Sequence, residues 1–322
     1  PISLPVTGED EWMAVKEPLM TGWLTSGPKV RAFEEAFAKR HQVKHALAVT
    51  SATTALHLAL VALEIGPGDE VIVPAFTWVS TANVVMHQGA KVVFCDIDPT
   101  TFNIDPKKIT DKITSNTKAI MAVHLFGLCA DVDAITTNDD VLGEKLGILR
   151  NHGASISEEQ RHHGARPYIL PDFDVCGYNY RMTDLQGAVG VVQLSKLDQF
   201  INERAQWASF YKKELASLDW IQCPEFTEDY AHGWQSFVLL IDEAKSPYSR
   251  NEIMEKLQEM GVSTRPGTHA VHMLGFYMQT YDVKPEDFPG AQIANDFSMS
   301  IPLHNRMTSE DYHYVIQCIK SL

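Results

Sequence analysis

Apolar residues along this chain follow two alternating patterns, short continuous runs and spacings of three or four residues. The continuous runs predict buried strands at Ala46–Val49, Glu70–Val73 and Lys91–Asp96. The helical spacings, such as that of Phe33 and Phe37, predict helices at Ala32–Arg40, Ser51–Leu63 and Ser80–Gln88. Strands that alternate with helices in this way predict an α/β fold with a mostly parallel sheet.

The pattern changes at Val192, where apolar residues at helical spacing predict one long helix that continues to Leu218. Long helices of this kind often link domains. The elements expected beyond it are a strand at Gln235–Ile241 and two helices that begin after capping residues Ser249 and Thr308. We therefore predict a large domain over residues 1–195 and a smaller α+β domain over residues 196–322.

The α/β pattern is interrupted near the middle of the chain. Residues 118–127 form an apolar run that ends in glycine, as a buried strand does. Asp131 then resembles a helix N-cap, but this helix would last about one turn before a new cap follows Ile135. Consecutive parallel strands need a crossover of about a dozen residues or more. A segment is therefore predicted to be missing at the join between Ile135 and Thr136.

Composition and charge narrow the function without identifying it. The 322 residues are 45% hydrophobic and 21% charged, as in ordinary globular proteins. The 27 basic and 41 acidic residues give a net charge of −14, which argues against nucleic acid and anionic membranes as partners. Five scattered cysteines argue against a zinc site and favour reduced thiols in the cytoplasm. No apolar run approaches the roughly 20 residues of a membrane-spanning helix.

A cluster of hydroxyl residues lies where the first expected strand becomes a helix. Ser51, Ala52 and Thr53 occupy this corner. Free backbone N–H groups and the helix dipole make such a corner an anion site, and side-chain hydroxyls add donors. The alternative is ordinary N-capping by serine or threonine.

Two further segments carry candidate binding residues. Trp78 follows the strand that ends near Val73, at the sheet edge where ligands of open α/β sheets bind, and could stack on a planar ring. The alternative places Trp78 between sheet and helix. Asn179 and Arg181 precede a helix and could contact an anion. The alternative there is a loop whose tyrosines pack on the core while Thr183 or Asp184 caps the helix.

Together these motifs resemble one family over nearly the whole chain. In order they are Gly22–Pro28, Ser51–Leu56, Gly66–Val71, Pro74–Ser80, Val93–Asp98, His124–Gly127, Asn151–Gly153, Gly177–Met182 and Ile301–His304. The set is similar to the pyridoxal-phosphate-dependent sugar aminotransferases of the DegT/DnrJ/StrS group. The resemblance implies a fold-type-I aminotransferase, with a mostly parallel seven-stranded sheet in the large domain and a smaller α+β C-terminal domain. It also implies a homodimer with shared active sites.

The resemblance further implies roles for individual residues. Amides and hydroxyls of Ser51, Ala52 and Thr53 would hold the phosphate of pyridoxal phosphate, and Trp78 would stack on its ring. Asn179 would reach the cofactor phosphate of the neighbouring subunit. Residues expected near the substrate are Thr25, Ser26 and His304, with substrate choice set also by the region Arg265–His269. No metal is expected.

The implied activity is transfer of an amino group, with glutamate as donor, to a keto-sugar that is commonly nucleotide-linked. Such reactions serve the synthesis of surface polysaccharides, lipopolysaccharide among them, and of glycoconjugates. The activity needs a lysine that forms a Schiff base with the cofactor and an aspartate beside the pyridine nitrogen. In the family both lie between the equivalents of Gly127 and Thr136, so the printed chain has neither.

Two interpretations of the interruption are open. Either the intact polypeptide carries about two more β-α units after Ile135, of roughly 30 residues each, or the deletion is real. We favour the first, because loss of interior strands would expose apolar sheet edges. Cofactor contacts would order such a segment, so we expect a structure without it to hold no pyridoxal phosphate. Alternative functions are a sugar dehydratase in which another residue replaces the lysine, and a non-catalytic relative.

Overall fold

The computed structural model of the chain describes residues 1–129, 138–155, 171–226, 230 and 232–322. The predicted interruption between Ile135 and Thr136 lies outside these residues, as does the helix cap expected at Asp131. Described residues resume just before a helix that begins at Asp140.

Helices account for most of the regular structure in the described residues. They are α1 (Glu9–Thr21), α2 (Pro28–His41), α3 (Ala52–Ala62), α4 (Ser80–His87), α5 (Pro106–Ile109), α6 (Asp140–Leu149), α7 (Asp184–Leu215), α8 (Arg250–Glu259), α9 (Gly275–Tyr281), α10 (Pro289–Phe297) and α11 (Ser309–Lys320). Short 3₁₀ turns lie at Thr110–Lys112, Leu125–Gly127, Val271–Met273 and Pro285–Asp287.

The strands form three small sheets. The strands are β1 (Glu70–Pro74), β2 (Phe76–Thr77), β3 (Lys91–Cys95), β4 (Thr117–Ile120), β5 (Ile221–Gln222), β6 (Phe237–Ile241), β7 (His269–Ala270) and β8 (Ser298–Ile301). One sheet is parallel, with β1 between β3 and β4. The other two are antiparallel: β2 pairs with β7, and β6 lies between β5 and β8.

The parallel sheet confirms the predicted α/β class. Val71, Ile72 and Val73 of β1 are fully buried, as expected for a central strand covered on both faces. Among the described residues the sheet has three parallel strands, whereas the resemblance implies seven. β4 is one edge of this sheet, and its Ile120 is 43% exposed. An exposed isoleucine on the edge of a parallel sheet is unusual, because such sheets are normally buried.

Two predicted strands differ from the structure. Ala46–Val49 forms no strand, and Val49 makes only an isolated bridge with Arg181. A strand needs a neighbouring ladder of hydrogen bonds, and no described strand lies beside this segment. The apolar run 118–127 is a strand only as far as Ile120. It then turns through a 3₁₀ segment that ends at Gly127, whose φ of 96° favours glycine.

The structure has one helix of 32 residues, α7, where the sequence predicts two: one that begins after Thr183 or Asp184 and one that begins at Val192. Its N-cap is Thr183, whose hydroxyl accepts the amide of Gln186, as one alternative for this loop predicted. The C-terminal half of α7 buries Ala208, Tyr211 and Leu215 in an apolar core built from residues 208–319. The predicted domain boundary at residue 195 therefore falls inside α7 and stays a prediction.

A second apolar core lies around the parallel sheet. It combines buried residues between 60 and 126 with others between 238 and 294, among them Val271 and Tyr277. Part of the C-terminal half of the chain thus packs on the predicted large domain. The carboxylate of Asp96, after β3, accepts the amides of Gly290 and Ala291 at the start of α10 and the ammonium of Lys108.

The carboxylate of Asp184, at the first position of α7, is buried against the start of α2. Pro28 is the first residue of α2 and has no N–H, so the free donors belong to its neighbours. Gly27 and Val30 donate their amides to Oδ1 at 2.8 and 3.0 Å, and Lys29 donates to Oδ2 at 3.1 Å. One carboxylate thereby satisfies three backbone donors and complements the dipole of α2.

We expect Asp184→Ala to lower the free energy of unfolding by about 2–4 kcal/mol, because buried donors would lose their acceptor. Urea unfolding followed by circular dichroism measures the loss. Asp198→Ala is the matched control: Asp198 also lies on α7 and pairs with Arg40 of α2, but its side chain is 72% exposed. The control should cost no more than about 1 kcal/mol. Equal losses in the two variants would contradict the role given to Asp184.

Candidate active site

The predicted anion corner lies at the start of α3. Ser51 is the N-cap: its Oγ accepts the amide of Thr54 at 3.2 Å, and its own amide donates to Thr54 Oγ1 at 3.1 Å. The capping interpretation of Ser51 is therefore confirmed. Ser51, Ala52 and Thr53 are nevertheless exposed. The first amides of a helix have no intrahelical acceptor, so the corner keeps donors for an anion.

Trp78 lies close to the carboxyl end of β1, the central strand of the parallel sheet. The chain passes from β1 to β3 on one side and then to β4 on the other, and such a switch point forms a crevice. Trp78 is 59% exposed and meets His269 edge to face, with ring centroids 5.6 Å apart. The alternative that Trp78 packs between sheet and helix is wrong.

A cleft of about 760 Å³ joins these features. Ala52, Trp78 and Phe126 line the side that belongs to the predicted large domain. Arg250 and Arg265, which come from beyond the predicted domain boundary, line it as well. The corner at α3, the exposed tryptophan and two arginines therefore open into one space.

The segment from Arg265 to Ala270 crosses between the two sides of this cleft. The backbone of Arg265 pairs with Ser300 in β8, with N–O distances of 2.8 and 3.4 Å. The Thr268 hydroxyl donates to the carbonyl of Thr77, and β7 pairs with β2. This double attachment fixes the positions of Arg265 and His269 in the cleft wall.

Asn179 is exposed and lies beside the anion corner. The amide of Thr50 donates to the carbonyl of Tyr180 at 3.0 Å, which holds this loop against the residues that precede α3. Tyr180 also bonds His57 of α3, O to Nδ1 at 3.1 Å, and burial lowers the pKa of that histidine. The Tyr178 and Tyr180 rings stack at 5.0 Å, so the tyrosines pack as the alternative for this loop predicted.

The predicted substrate residues lie elsewhere in the chain. Thr25 and Ser26 precede α2, where the carbonyl of Thr25 accepts the amide of Asp184. His304 is 3% exposed, its Nε2 lies 3.2 Å from the carbonyl of Pro1, and burial lowers its pKa. None of the three lines the cleft in the described part of this single chain. Their substrate contacts stay predictions.

Comparison with known proteins gives the family. The model of the DegT/DnrJ/EryC1/StrS aminotransferase family matches residues 5–137 and 134–320. The spore coat polysaccharide biosynthesis protein SpsC of Bacillus subtilis (strain 168) is 33% identical over 376 positions, which cover 100% of this chain and 96% of SpsC. The chain belongs to the DegT/DnrJ/EryC1/StrS aminotransferase family. The resemblance deduced from the sequence motifs is thereby confirmed.

Solved structures confirm the fold of this family member. An aminotransferase from Psychrobacter cryohalolentis is 24% identical, with a TM-score of 0.91 over 100% of this chain and 98% of that one. The Streptococcus pneumoniae protein Spr1654 in its PMP form is 23% identical, with a TM-score of 0.90 and the same coverage. These likenesses establish the fold alone.

The DegT/DnrJ/EryC1/StrS member described here lacks a cleft lysine in the part of the chain that the structure describes. Four lysines outside the cleft pair with nearby carboxylates: Lys29 with Glu17, Lys44 with Asp140, Lys91 with Glu70 and Lys145 with Glu64.

Within the described residues, no group of three or more His, Cys, Asp or Glu residues could hold a metal ion. None of the helices described has the length and apolar character needed to cross a membrane.

Of the two arginines in the cleft, the sequence indicates one only as part of a region and does not indicate the other. Arg265 belongs to the region expected to set substrate choice, but nothing local singles it out from other arginines. Arg250 follows the cap Ser249 and reads as an ordinary first-turn residue of α8. Both enter the cleft because β8, 33 or more residues further along the chain, holds them there through Ser298 and Ser300.

Two neighbouring hydroxyls in the anion corner should behave differently when removed. Ser51→Ala should lower the free energy of unfolding by about 1 kcal/mol, because the N-cap of α3 is lost. Thr53→Ala should change it by less than about 0.5 kcal/mol, because Thr53 is exposed and caps nothing in the described structure. Urea unfolding of both variants measures the two free energies. Destabilisation by Thr53→Ala but not by Ser51→Ala would refute this assignment.

Proposed function

We propose that the intact protein is a sugar aminotransferase that uses pyridoxal phosphate. The observation that carries the proposal is the family match over both halves of the chain, joined to a cleft where an anion corner meets an exposed tryptophan. SpsC carries the name of a protein of spore coat polysaccharide biosynthesis, which supports a sugar substrate. Spr1654 has a solved PLP form, which supports the cofactor.

Part of the cleft fits pyridoxal phosphate. The amides at the start of α3 and the hydroxyl of Thr53 would hold the phosphate, and Trp78 would cover the ring. Asn179 lies beside the same corner and would contact a phosphate there, its own or that of a second subunit. When bound, the cofactor supplies a ring that withdraws electrons from the carbon carrying the amino group.

The remainder of the cleft does not fit. Neither a lysine nor a carboxylate lines it in the described residues. The described lining therefore offers no group to attach the cofactor covalently or to hold a proton on the pyridine nitrogen. These groups would lie on an additional segment after Ile135.

The comparisons support such a segment. The family match falls into two parts that meet at residues 134–137. The SpsC comparison runs over 376 positions whereas the chain has 322 residues, so at least 54 positions have no residue in this chain. Two β-α units of about 30 residues each would have nearly this size.

The packing of the described residues supports it as well. β4 leaves one edge of the parallel sheet unpaired, with Ile120 43% exposed. An apolar cavity of about 390 Å³ lies among α2, α3 and α6, with Phe37, Leu58 and Leu146 in its wall. Cores normally contain few voids larger than a water molecule. Additional strands beside β4 would cover this edge and give Ala46–Val49 a partner.

The finer parts of the proposal concern substrates and assembly. The amino donor would be glutamate and the acceptor a keto-sugar, commonly nucleotide-linked. The subunits would form a homodimer, which is supported by exposed apolar residues on and after α1: Trp12, Met13, Leu19, Met20 and Leu24 are each at least 45% exposed. An apolar patch of this kind marks a protein contact.

A second candidate function is favoured by the absence of a lysine from the described lining of the cleft. If the printed chain is the whole polypeptide, the protein would be a non-catalytic family member that keeps the fold for assembly or sugar binding. A dehydratase with another residue at the lysine position would also need the additional segment.

Amino-group transfer distinguishes these candidates. The protein produced from its own gene is mixed with pyridoxal phosphate and glutamate, and the cofactor absorbance is followed. We expect the spectrum to change to that of the aminated cofactor. In a separate sample without glutamate, we expect borohydride to fix pyridoxal phosphate to the protein. The 322-residue chain, produced separately, should show neither. Reaction and fixation in the 322-residue chain would contradict the assignment of the lysine to a missing segment, and their absence in both proteins would refute the aminotransferase proposal.

A further inference from the structure

The cleft carries an excess of positive charge that the composition of the chain does not suggest. The whole chain has a net charge of −14. In the described lining of the cleft there are two arginines, Arg250 and Arg265, and no aspartate or glutamate. The N-terminus of α3, which contributes Ala52 to the lining, adds the positive pole of a helix dipole. Clefts lined by charge of one sign focus the potential toward a ligand of the other sign.

The two arginines differ in how many hydrogen bonds their guanidinium groups make within the described residues. Arg250 donates Nη1 to the carbonyls of Asn295 and Ser298, at 3.3 and 2.9 Å, and Nε to Asn251. The charges of Glu243 and Asp296 act on it from outside the cleft. Its guanidinium therefore ties the end of α10 to β8.

Arg265 differs from Arg250 in this respect. Its side chain is exposed and makes no hydrogen bond or ion pair within the described residues. Its backbone, in contrast, is held by the pairing with Ser300, and Gly267 two residues on donates its amide to Ser298 Oγ at 3.1 Å. A fixed backbone that presents an unpaired guanidinium to a cleft is suited to recognising an oxyanion, because little order has to be gained on binding.

From this geometry we infer that Arg265 is a substrate-specificity residue, which binds an anionic group of the substrate in the cleft that the phosphate corner also lines. The shared chemistry is an oxyanion that accepts two N–H groups of the guanidinium. A carboxylate of the amino donor and a phosphate of a nucleotide-linked sugar both have it. The inference rests on the proposed function, since it concerns the same cleft.

Binding rather than turnover tests the inference, so the 322-residue chain itself can be used. The probes are glutarate as dicarboxylate and uridine diphosphate as phosphate, with glutaramide and uridine as uncharged counterparts, in calorimetric titrations at low salt. Each titration is run with and without pyridoxal phosphate, because an anion could also occupy the corner at α3. Thermal unfolding of every variant checks that its fold is kept, which we expect for the Arg265 variants because that side chain is exposed.

Arg265→Gln should weaken the binding of at least one anionic probe by about tenfold or more and leave the binding of its uncharged counterpart unchanged. Arg265→Lys should lose less, because it keeps the charge but not the two-pronged geometry. Arg40→Gln removes the same charge from the α2 surface and is the matched control, with a change of less than about twofold expected. The probe whose binding weakens shows whether Arg265 binds a carboxylate or a phosphate.

Unchanged binding of both anions to Arg265→Gln would overturn the inference, and so would the absence of anion binding to the unmodified chain. Neither outcome depends on amino-group transfer. A chain that binds anions through Arg265 but never transfers an amino group would refute the proposed function and leave this inference standing.

Discussion

One buried carboxylate determines how the start of the longest helix meets the rest of the chain. Asp184 closes three backbone donors of α2, and its own amide donates to the carbonyl of Thr25 at 3.1 Å. The helices approach so closely that a Cβ on Gly187 would come within 2.7 Å of the amide nitrogen of Val30. Glycine and the carboxylate therefore act together. Because α7 continues into the core of residues 208–319, this contact positions both halves of the molecule.

The same end of α7 positions the candidate site. The loop that precedes Asp184 contains Asn179 and Tyr180, and the Tyr180 carbonyl holds Thr50 next to the start of α3. Elsewhere in the cleft wall, the pairing of Arg265 with Ser300 and of β7 with β2 connects the core of residues 208–319 to Thr77. The cleft is thus built between two attachments, and the pairings of Thr50 with Tyr180 and of β2 with β7 join residues more than a hundred positions apart in the chain.

Local chemistry explains what the sequence predicts well. Ser249 and Thr308 cap α8 and α11 through side chains that bond the third amide of each helix, and Asp105 with Pro106 opens α5. Each of these signals lies within four residues of its effect. The buried strand β1 follows equally from its continuous apolar run.

Non-local pairing explains what the sequence does not predict. The prediction of a strand at Ala46–Val49 is wrong, because apolar residues do not form a strand unless a neighbouring strand pairs with them. Whether Trp78 was buried or exposed depended on packing by distant segments, and so did the entry of Arg250 into the cleft. Family motifs overcame part of this difficulty, since they indicated the anion corner and the region Arg265–His269 together.

The intact mass of the polypeptide produced from its own gene tests the central claim most directly. The claim is that a segment with the catalytic lysine belongs between Ile135 and Thr136. The account predicts a mass greater than 36.0 kDa by about 6 kDa or more, the size of two β-α units. A mass of 36.0 kDa would contradict it, because the chain would then have no residue in the cleft to attach the cofactor.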